Sequence, residues 1–281
     1  MNNEIREPSI EPTTAERRYA ALQGVGRAMV VLETIAAEPM RASDVVRRLG
    51  LKWTTAHRTL TYLLENDYLR RDEGSGTYSV GPRLYSLGQS YLRGHPLIDA
   101  GTPSVRAIAH EVGGTVQLNE RNGFESLVLV AVDERLELIP KATPEYHFPL
   151  HAGSKGQVLL AYSPPAVFAE MTAQPLEALT DQTITDPVVL EERLLQVRSQ
   201  GYAVTKGDVQ RGTGSVAAPI FDAVGDLRGA ICVIRRANHL DQASEPVLIT
   251  ATTLAARDIS IRMGWRPGIP AAAERQWRTR G

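Results

Sequence analysis

Apolar positions recur at helical spacing in three successive stretches near the start of the chain, separated by polar or proline-containing breaks. From about Leu22 to Ala37, the positions Val25, Ala28, Met29, Leu32 and Ile35 mark a first helix, which Glu38-Pro39 ends. Residues 42–49 predict a short second helix with Val45, Val46 and Leu49 on one face. Gly50 follows it, where a helix commonly stops in the left-handed conformation. In the third helix, at about 100° per residue, Leu60, Leu63 and Leu64 share a stripe with Ala56, and Trp53 sits beside it. Thr54, Thr55, Arg58 and Tyr62 fall on the opposite side. That outer face is short, polar and able to donate hydrogen bonds, as a helix entering a major groove requires. The plainer alternative is a solvated helix face.

Helix, short helix, glycine turn and helix in this order form a helix-turn-helix. The continuation YLRRDEGSGTYSVG places two short apolar or aromatic stretches around DEGSG, which predicts a hairpin with Gly74 and Gly76 at its tip, a wing. Between Leu22 and Leu84 nine Lys/Arg stand against seven Asp/Glu, a local +2 in a chain of net charge −1. The whole protein is therefore no polycation, and any nucleic-acid contact must be local. Cys232 is the single cysteine, which excludes an intrachain disulfide and a multi-cysteine zinc site and fits a reducing compartment. The first twelve residues lack the apolar core of a secretory signal, and no apolar run approaches the roughly 20 residues a bilayer span needs. A cytoplasmic protein is expected.

The run GRAMVVLETIA…LGLKWTTAHRTLTYLLENDYLRRDEGSGTYSVGPRLYSLG, with LHAGSKGQVLLA and GSVAAPIFDAVGDLRGAICVI further on, resembles the isocitrate lyase regulator (IclR) family of bacterial transcription factors. The blocks match in order and spacing from about Leu22 to Gly264. The resemblance implies an α+β protein: an N-terminal winged helix-turn-helix, a linker helix, and a GAF-like effector-binding domain with an antiparallel sheet flanked by helices. On this basis residues 1–20 are a polar tail, 21–82 the winged helix, 83–98 the linker helix, 99–265 the effector domain and 266–281 a polar C-terminal tail.

The pattern of the second half agrees with that outline. Leu84, Leu87, Tyr91 and Leu92 recur at helical spacing and suit a linker helix closed by Gly94 and Pro96. Asp99 to Val112 predicts a helix, residues 115–133 a hairpin around Asn122-Gly123, and Gln157 to Leu160 the start of another helix. A second hairpin turns near Gly225, and Pro246 to Met263 predicts a closing helix.

Nothing in this half spells out catalysis. GTGSVA at 212–217 matches G-x-G-x-x-A, but a strand-like run follows where a dinucleotide site needs a helix. HAGSKG at 151–156 lacks phosphate-loop spacing; Gly153 and Gly156 instead let backbone N–H groups converge at a helix start, which suits a small carboxylate. Of the six histidines only His147 and His151 are close, in a segment with Pro149, and a hydrogen-bonding role outweighs a metal site. Cys232 lies in the apolar run GAICVI and fits a core position. No cofactor is expected.

Carried over position by position, the resemblance implies an effector between the helix start at Ser154, Lys155 and Gly156, an apolar wall near Phe148, and strand positions Thr205, Ser215, Cys232 and Ile234. Small-acid binders of the family often carry an acidic residue where Thr205 stands, cysteine at the Ser215 position and serines at those of Cys232 and Ile234. The departures imply a ligand with an apolar or aromatic body and an acidic or carbonyl group. For DNA, Thr54, Thr55, Arg58 and Tyr62 are the expected readers, with Lys52, Arg70, Arg71 and Thr77 on phosphates or in the wing. His57 flanks the buried stripe and is expected to pack between helices, within reach of a phosphate. The expected partners are double-stranded operator DNA with an inverted repeat, a small-molecule effector, and a second copy of the chain in a dimer or dimer of dimers. A protein-interaction module, or an enzyme with an accessory DNA-binding domain, remain the other classes.

Overall fold

The computed structural model describes residues 24–133, 147–269 and 271. The chain divides between Arg93 and Gly94 into two compact units. Leu22 and the polar N-terminal tail fall outside the described residues.

In the N-terminal unit, α1 (Val25–Ala37), α2 (Ala42–Leu49) and α3 (Trp53–Glu65) enclose a core of Val31, Leu32, Ile35, Val45, Leu60 and Leu63. The stripe on α1 is rotated from the expected one: Val25 and Met29 are exposed, and Val31 turns inward in their place. Gly50 adopts φ +62° after α2, as its position predicts, and the following Leu51 N–H donates to the Val46 carbonyl. The hairpin forms from β2 (Leu69–Arg71) and β3 (Thr77–Val80), with Asp72 accepting from both the N–H and the hydroxyl of Ser75 at 2.7 Å in the turn. Gly76 carries the left-handed conformation there, φ +71°. A third strand, β1 (Met40–Arg41), pairs with β3, so the wing is a three-stranded antiparallel sheet of order β1-β3-β2. α4 (Pro82–Leu92) follows, starting at a proline whose missing N–H a first turn never uses. It buries none of its residues.

The linker helix expected over 83–98 is shorter: α4 stops at Leu92, and Pro96 opens the next helix instead of closing this one. Proline at a helix start is pre-set in φ, which explains why the same residue serves as a starter and not a stop.

The C-terminal unit runs α5 (Pro96–Val112), β4 (Thr115–Asn122), β5 (Glu125–Val132), β6 (His147–Pro149), α6 (Gly153–Ala161), α7 (Pro165–Met171), α8 (Pro187–Gln200), β7 (Ala203–Lys206), β8 (Thr213–Phe221), β9 (Leu227–Arg236) and α9 (Ser244–Arg262). Its six strands form one antiparallel sheet of order β6-β5-β4-β9-β8-β7. Period-two alternation divides the sheet between two cores. Val216, Ala218, Ile220, Ile231 and Val233 face one side, with α5 and α9; Ala217, Ala230 and Cys232 face the other, with α6 and α8. The second set is small, which lets α6 lie so close that all nine of its residues are buried. The expected polar C-terminal tail needs correction in part: Ala271 is buried against this second core, and residues 272–281 lie outside the described residues. Among the described residues no helix is long and apolar enough to cross a membrane.

Candidate functional site

The first site is a helix face. α3 begins after Lys52 and presents Thr54, Arg58 and Tyr62 to solvent, with Tyr62 59% exposed. Thr55 is half-buried, and its carbonyl accepts from the Thr59 hydroxyl at 3.0 Å. One placement differs from expectation. His57 is exposed and does not pack between helices: its ring lies 6.4 Å from that of Trp53, tilted 37°. Trp53, beside the buried stripe, is 54% exposed. Trp53, Thr54, His57, Arg58, Tyr62 and Glu65 together line one open groove along α3. On the wing, Arg70 and Arg71 are exposed on β2 and Thr77 is half-buried at the start of β3. The Arg71 guanidinium lies 5.7 Å from the centre of the Tyr78 ring, its cross-strand partner, so the ring orients it. Among the described residues Lys52, Arg58 and Arg70 make no side-chain hydrogen bond or ion pair, so their donors are open to an outside partner.

The second site is a cavity of about 290 Å³ in the C-terminal unit. Phe148, Lys155, Thr205, Ser215, Cys232 and Ile234 all line it, brought together from β6, α6, β7, β8 and β9. Ser154 and Gly156 do not. Ser154 is fully buried behind the wall, where its hydroxyl meets that of Ser215 at 2.7 Å and the Cys232 sulfur at 3.6 Å. Gly156 turns away from the cavity: a Cβ there would stand 2.7 Å from the Leu150 carbonyl oxygen, so glycine is required by the close approach of α6 to the β6 corner. The N–H groups expected to converge on a ligand at this helix start are already engaged. Gly153 donates to Asp208 Oδ2 at 2.8 Å, and Ser154 donates to Thr205 Oγ1 at 3.2 Å. His151 is buried and donates its Nε2–H to the Glu177 carbonyl at 2.8 Å; no group of residues suited to a metal occurs among the described residues.

Lys155 sets the electrostatics. It is buried, its ammonium donates to Gln117 Oε1 at 2.9 Å, and its Nζ stands 3.8 Å from the centre of the Phe148 ring. Burial lowers its pKa from 10.5 to about 8, with Cys232 pulling the other way. It is still mostly protonated at neutral pH. Burial raises the Cys232 thiol, so Cys232 is neutral and acts as a small apolar wall with a weak donor. Gln117 and Asp208 also line the cavity and were not reached from the sequence. Both are recognisable only through partners far along the chain, although the polar alternation Thr115, Gln117, Asn119 on a strand buried on both faces was a visible signal.

A winged helix with an open donor face, in one chain with an antiparallel-sheet unit whose cavity holds a buried ammonium, defines a DNA-binding regulator with a sensory domain. Residues 89–261 match the model of the bacterial transcriptional regulator IclR C-terminal domain, and residues 24–73 that of the IclR helix-turn-helix domain. The chain belongs to the IclR family of bacterial transcriptional regulators. It is 30% identical over 250 residues to the glycerol operon regulatory protein of Streptomyces coelicolor, covering 86% of this chain and 97% of that one. It is 27% identical to the HTH-type transcriptional repressor AllR of Klebsiella pneumoniae over 267 residues, 92% of this chain and 96% of that one. An IclR homologue of Microbacterium hydrocarbonoxydans solved in complex with 4-hydroxybenzoate superposes with a TM-score of 0.72 at 28% identity, covering 86% of this chain and 99% of that one.

Proposed function

We propose that this regulator represses a catabolic operon and that a small metabolite held in the C-terminal cavity sets its affinity for operator DNA. The observation that carries the reading is the α3 face, where Arg58 lies between Thr54 and Tyr62 with open donors. Thr54, Thr55, Arg58 and Tyr62 would reach base edges, and Lys52, His57, Arg70, Arg71 and Thr77 would hold phosphates. The name of the Klebsiella relative supports repression, that of the Streptomyces relative supports control of an operon, and the 4-hydroxybenzoate complex of the Microbacterium homologue supports a metabolite in the sensory unit. One such helix reads too few base pairs to select a genomic site, so a homodimer, or a pair of dimers, on an inverted repeat follows. Effector binding would couple to DNA by favouring one of two arrangements of the paired reading heads.

Incubating the full chain with fragmented genomic DNA at about physiological salt, recovering the bound pieces and sequencing them tests this. A few enriched inverted repeats are expected; weak binding to every fragment would instead assign the α3 face to a protein partner. Arg58→Ala is expected to weaken binding to the enriched site by about 1–3 kcal/mol and to relax base preference at one position of each half-site. Competition with single-base variants of that site reads this directly, and an equal loss on all sequences would demote Arg58 to a phosphate contact. Arg70→Ala is expected to act uniformly and to reduce the dependence of log K on log salt by about one contact's worth, roughly 0.9.

A further inference from the structure

The cavity in the C-terminal unit holds two charged side chains, Lys155 and Asp208. Lys155 is 5% exposed, and its one close polar partner is the neutral Gln117 amide. Among the described residues no carboxylate lies within ion-pairing distance of it. A buried ammonium with no counter-charge is unfavourable unless something supplies the charge. Asp208 is differently placed, since its Oδ2 is committed to the Gly153 N–H at the start of α6. The rest of the wall is apolar (Val128, Ala131, Ile234) or carries the linked hydroxyls of Thr205 and Ser215, 3.1 Å apart.

Resting on the sensory reading given above, we propose that Lys155 selects the effector by charge, so that the cavity takes a monoanion, one carboxylate on a compact apolar body, in preference to a neutral or doubly charged molecule of the same shape. The carboxylate takes the place a protein counter-ion would occupy beside Lys155. The apolar body lies along Val128, Ala131 and Ile234, and any donor on its far side meets Thr205 or Ser215. One cation can pair one carboxylate, and a second carboxylate on the ligand would share the cavity with Asp208. A diacid is therefore disfavoured. The volume, about 290 Å³, stands at the small end of ligand cavities and suits a body of a single ring or a short branched chain.

The groups facing Lys155 also fix a pH dependence. The titratable groups that share its cavity are Cys232 on β9, whose thiol burial keeps neutral, and Asp208 from the β7–β8 loop; β4 offers Gln117, β5 Val128 and Ala131, and β6 Phe148, none of them charged. As pH rises through about 8 the free ammonium is lost, and with it the attraction for an anion. A neutral ligand of the same shape has no such dependence.

The test uses the full chain and two matched pairs of probes, benzoate with benzamide and 3-methylbutanoate with its amide, together with terephthalate, by titration calorimetry. At least one acid is expected to bind about 10–100-fold more tightly than its amide, the worth of a charge-assisted hydrogen bond. Terephthalate should bind more weakly than benzoate. Lys155→Met should remove or invert the preference of acid over amide, a ratio that a merely structural role would leave alone, and Lys155→Arg should retain it. Above pH 8 the acid should lose affinity while the amide does not. Equal binding of acid and amide to the wild type, an unchanged ratio in Lys155→Met, or failure of both acids to bind at millimolar concentration would overturn the assignment. A protein that enriches inverted repeats but takes no monoacid keeps the regulator reading and loses this one; acid binding without DNA selection does the reverse.

Discussion

Gly156→Ala is expected to lower the stability of the C-terminal unit by about 3 kcal/mol and to abolish uptake of any ligand by the cavity. The added methyl would stand 2.7 Å from the Leu150 carbonyl oxygen and 3.0 Å from both the Leu150 carbonyl carbon and the Pro149 oxygen. All three are backbone atoms, so no side chain can rotate away to make room. Relief requires moving α6 from the corner that follows β6, and α6 has no free side to move into because each of its nine residues is buried. Phe148 precedes that corner and Lys155 neighbours Gly156, so the same movement separates the ammonium from the ring it now overlies at 3.8 Å. Urea denaturation gives the stability change, and calorimetry with the acid probes gives the binding. Hydrogen exchange over residues 24–93 should remain at wild-type levels, because those residues form a compact unit of their own. A wild-type denaturation midpoint would mean that the corner yields and that packing here is looser than the distances imply.

Helices α2 and α3 and the wing hairpin were legible because each announces itself locally. Val45 and Leu49 repeat at helical spacing before Gly50, and DEGSG holds its own turn through Asp72. β1 was not legible, since two residues, Met40 and Arg41, become a strand only by pairing with Tyr78 and Thr77 some forty positions away. The period of α6 was legible only from Gln157, although its glycines marked a start near Gly153, because a helix buried on every side has no polar face to give it a period. α8 went unread for the opposite reason. Val188, Val189 and Leu195 are exposed and blur its apolar stripe, although its Asp186 cap, Pro187 start and left-handed Gly201 stop are all present in the sequence.

The same contrast runs through the sites. The α3 face could be drawn from angles alone, and it erred at His57, which is exposed beside Trp53 and does not pack between helices. The cavity could not be drawn that way. Phe148, Lys155, Thr205, Ser215, Cys232 and Ile234 came from resemblance, and the polar residues Asp208 and Gln117, which it missed, are tied in by distant bonds, Asp208 to Gly153 and Gln117 to Lys155. Glycines near a helix start pointed to an anion cradle of N–H groups. The structure fills that cradle with Asp208 and Thr205 and gives the positive charge of the cavity to a side chain.

Lys155→Met is expected to raise stability at pH 7 by roughly 2–3 kcal/mol, the largest gain anticipated from any single change in the cavity. The native pKa of Lys155 is about 8 against 10.5 for an unburied lysine, so the native state binds fewer protons than the unfolded state between those values. Folded stability therefore rises as pH climbs from about 8 to 10.5, and below 8 the full penalty of burying the ammonium applies. Expressed as free energy that penalty is roughly 3 kcal/mol. Methionine removes it while keeping the unbranched apolar stem. The hydrogen bond to Gln117 is lost, worth about 1 kcal/mol net, but Gln117 lines the cavity and can turn to water, so the removed penalty wins. Urea denaturation of both proteins at pH 7, 9 and 10.5 checks the sign, and the difference between them isolates Lys155 from every other titrating group. The gap should narrow as pH rises and close near 10.5. A gap that stays constant with pH would mean that Lys155 is hydrated or ion-paired in solution, and the argument for an anion would lose its footing. A gap that closes would show a residue kept at the expense of stability, which binding sites do where function needs the charge.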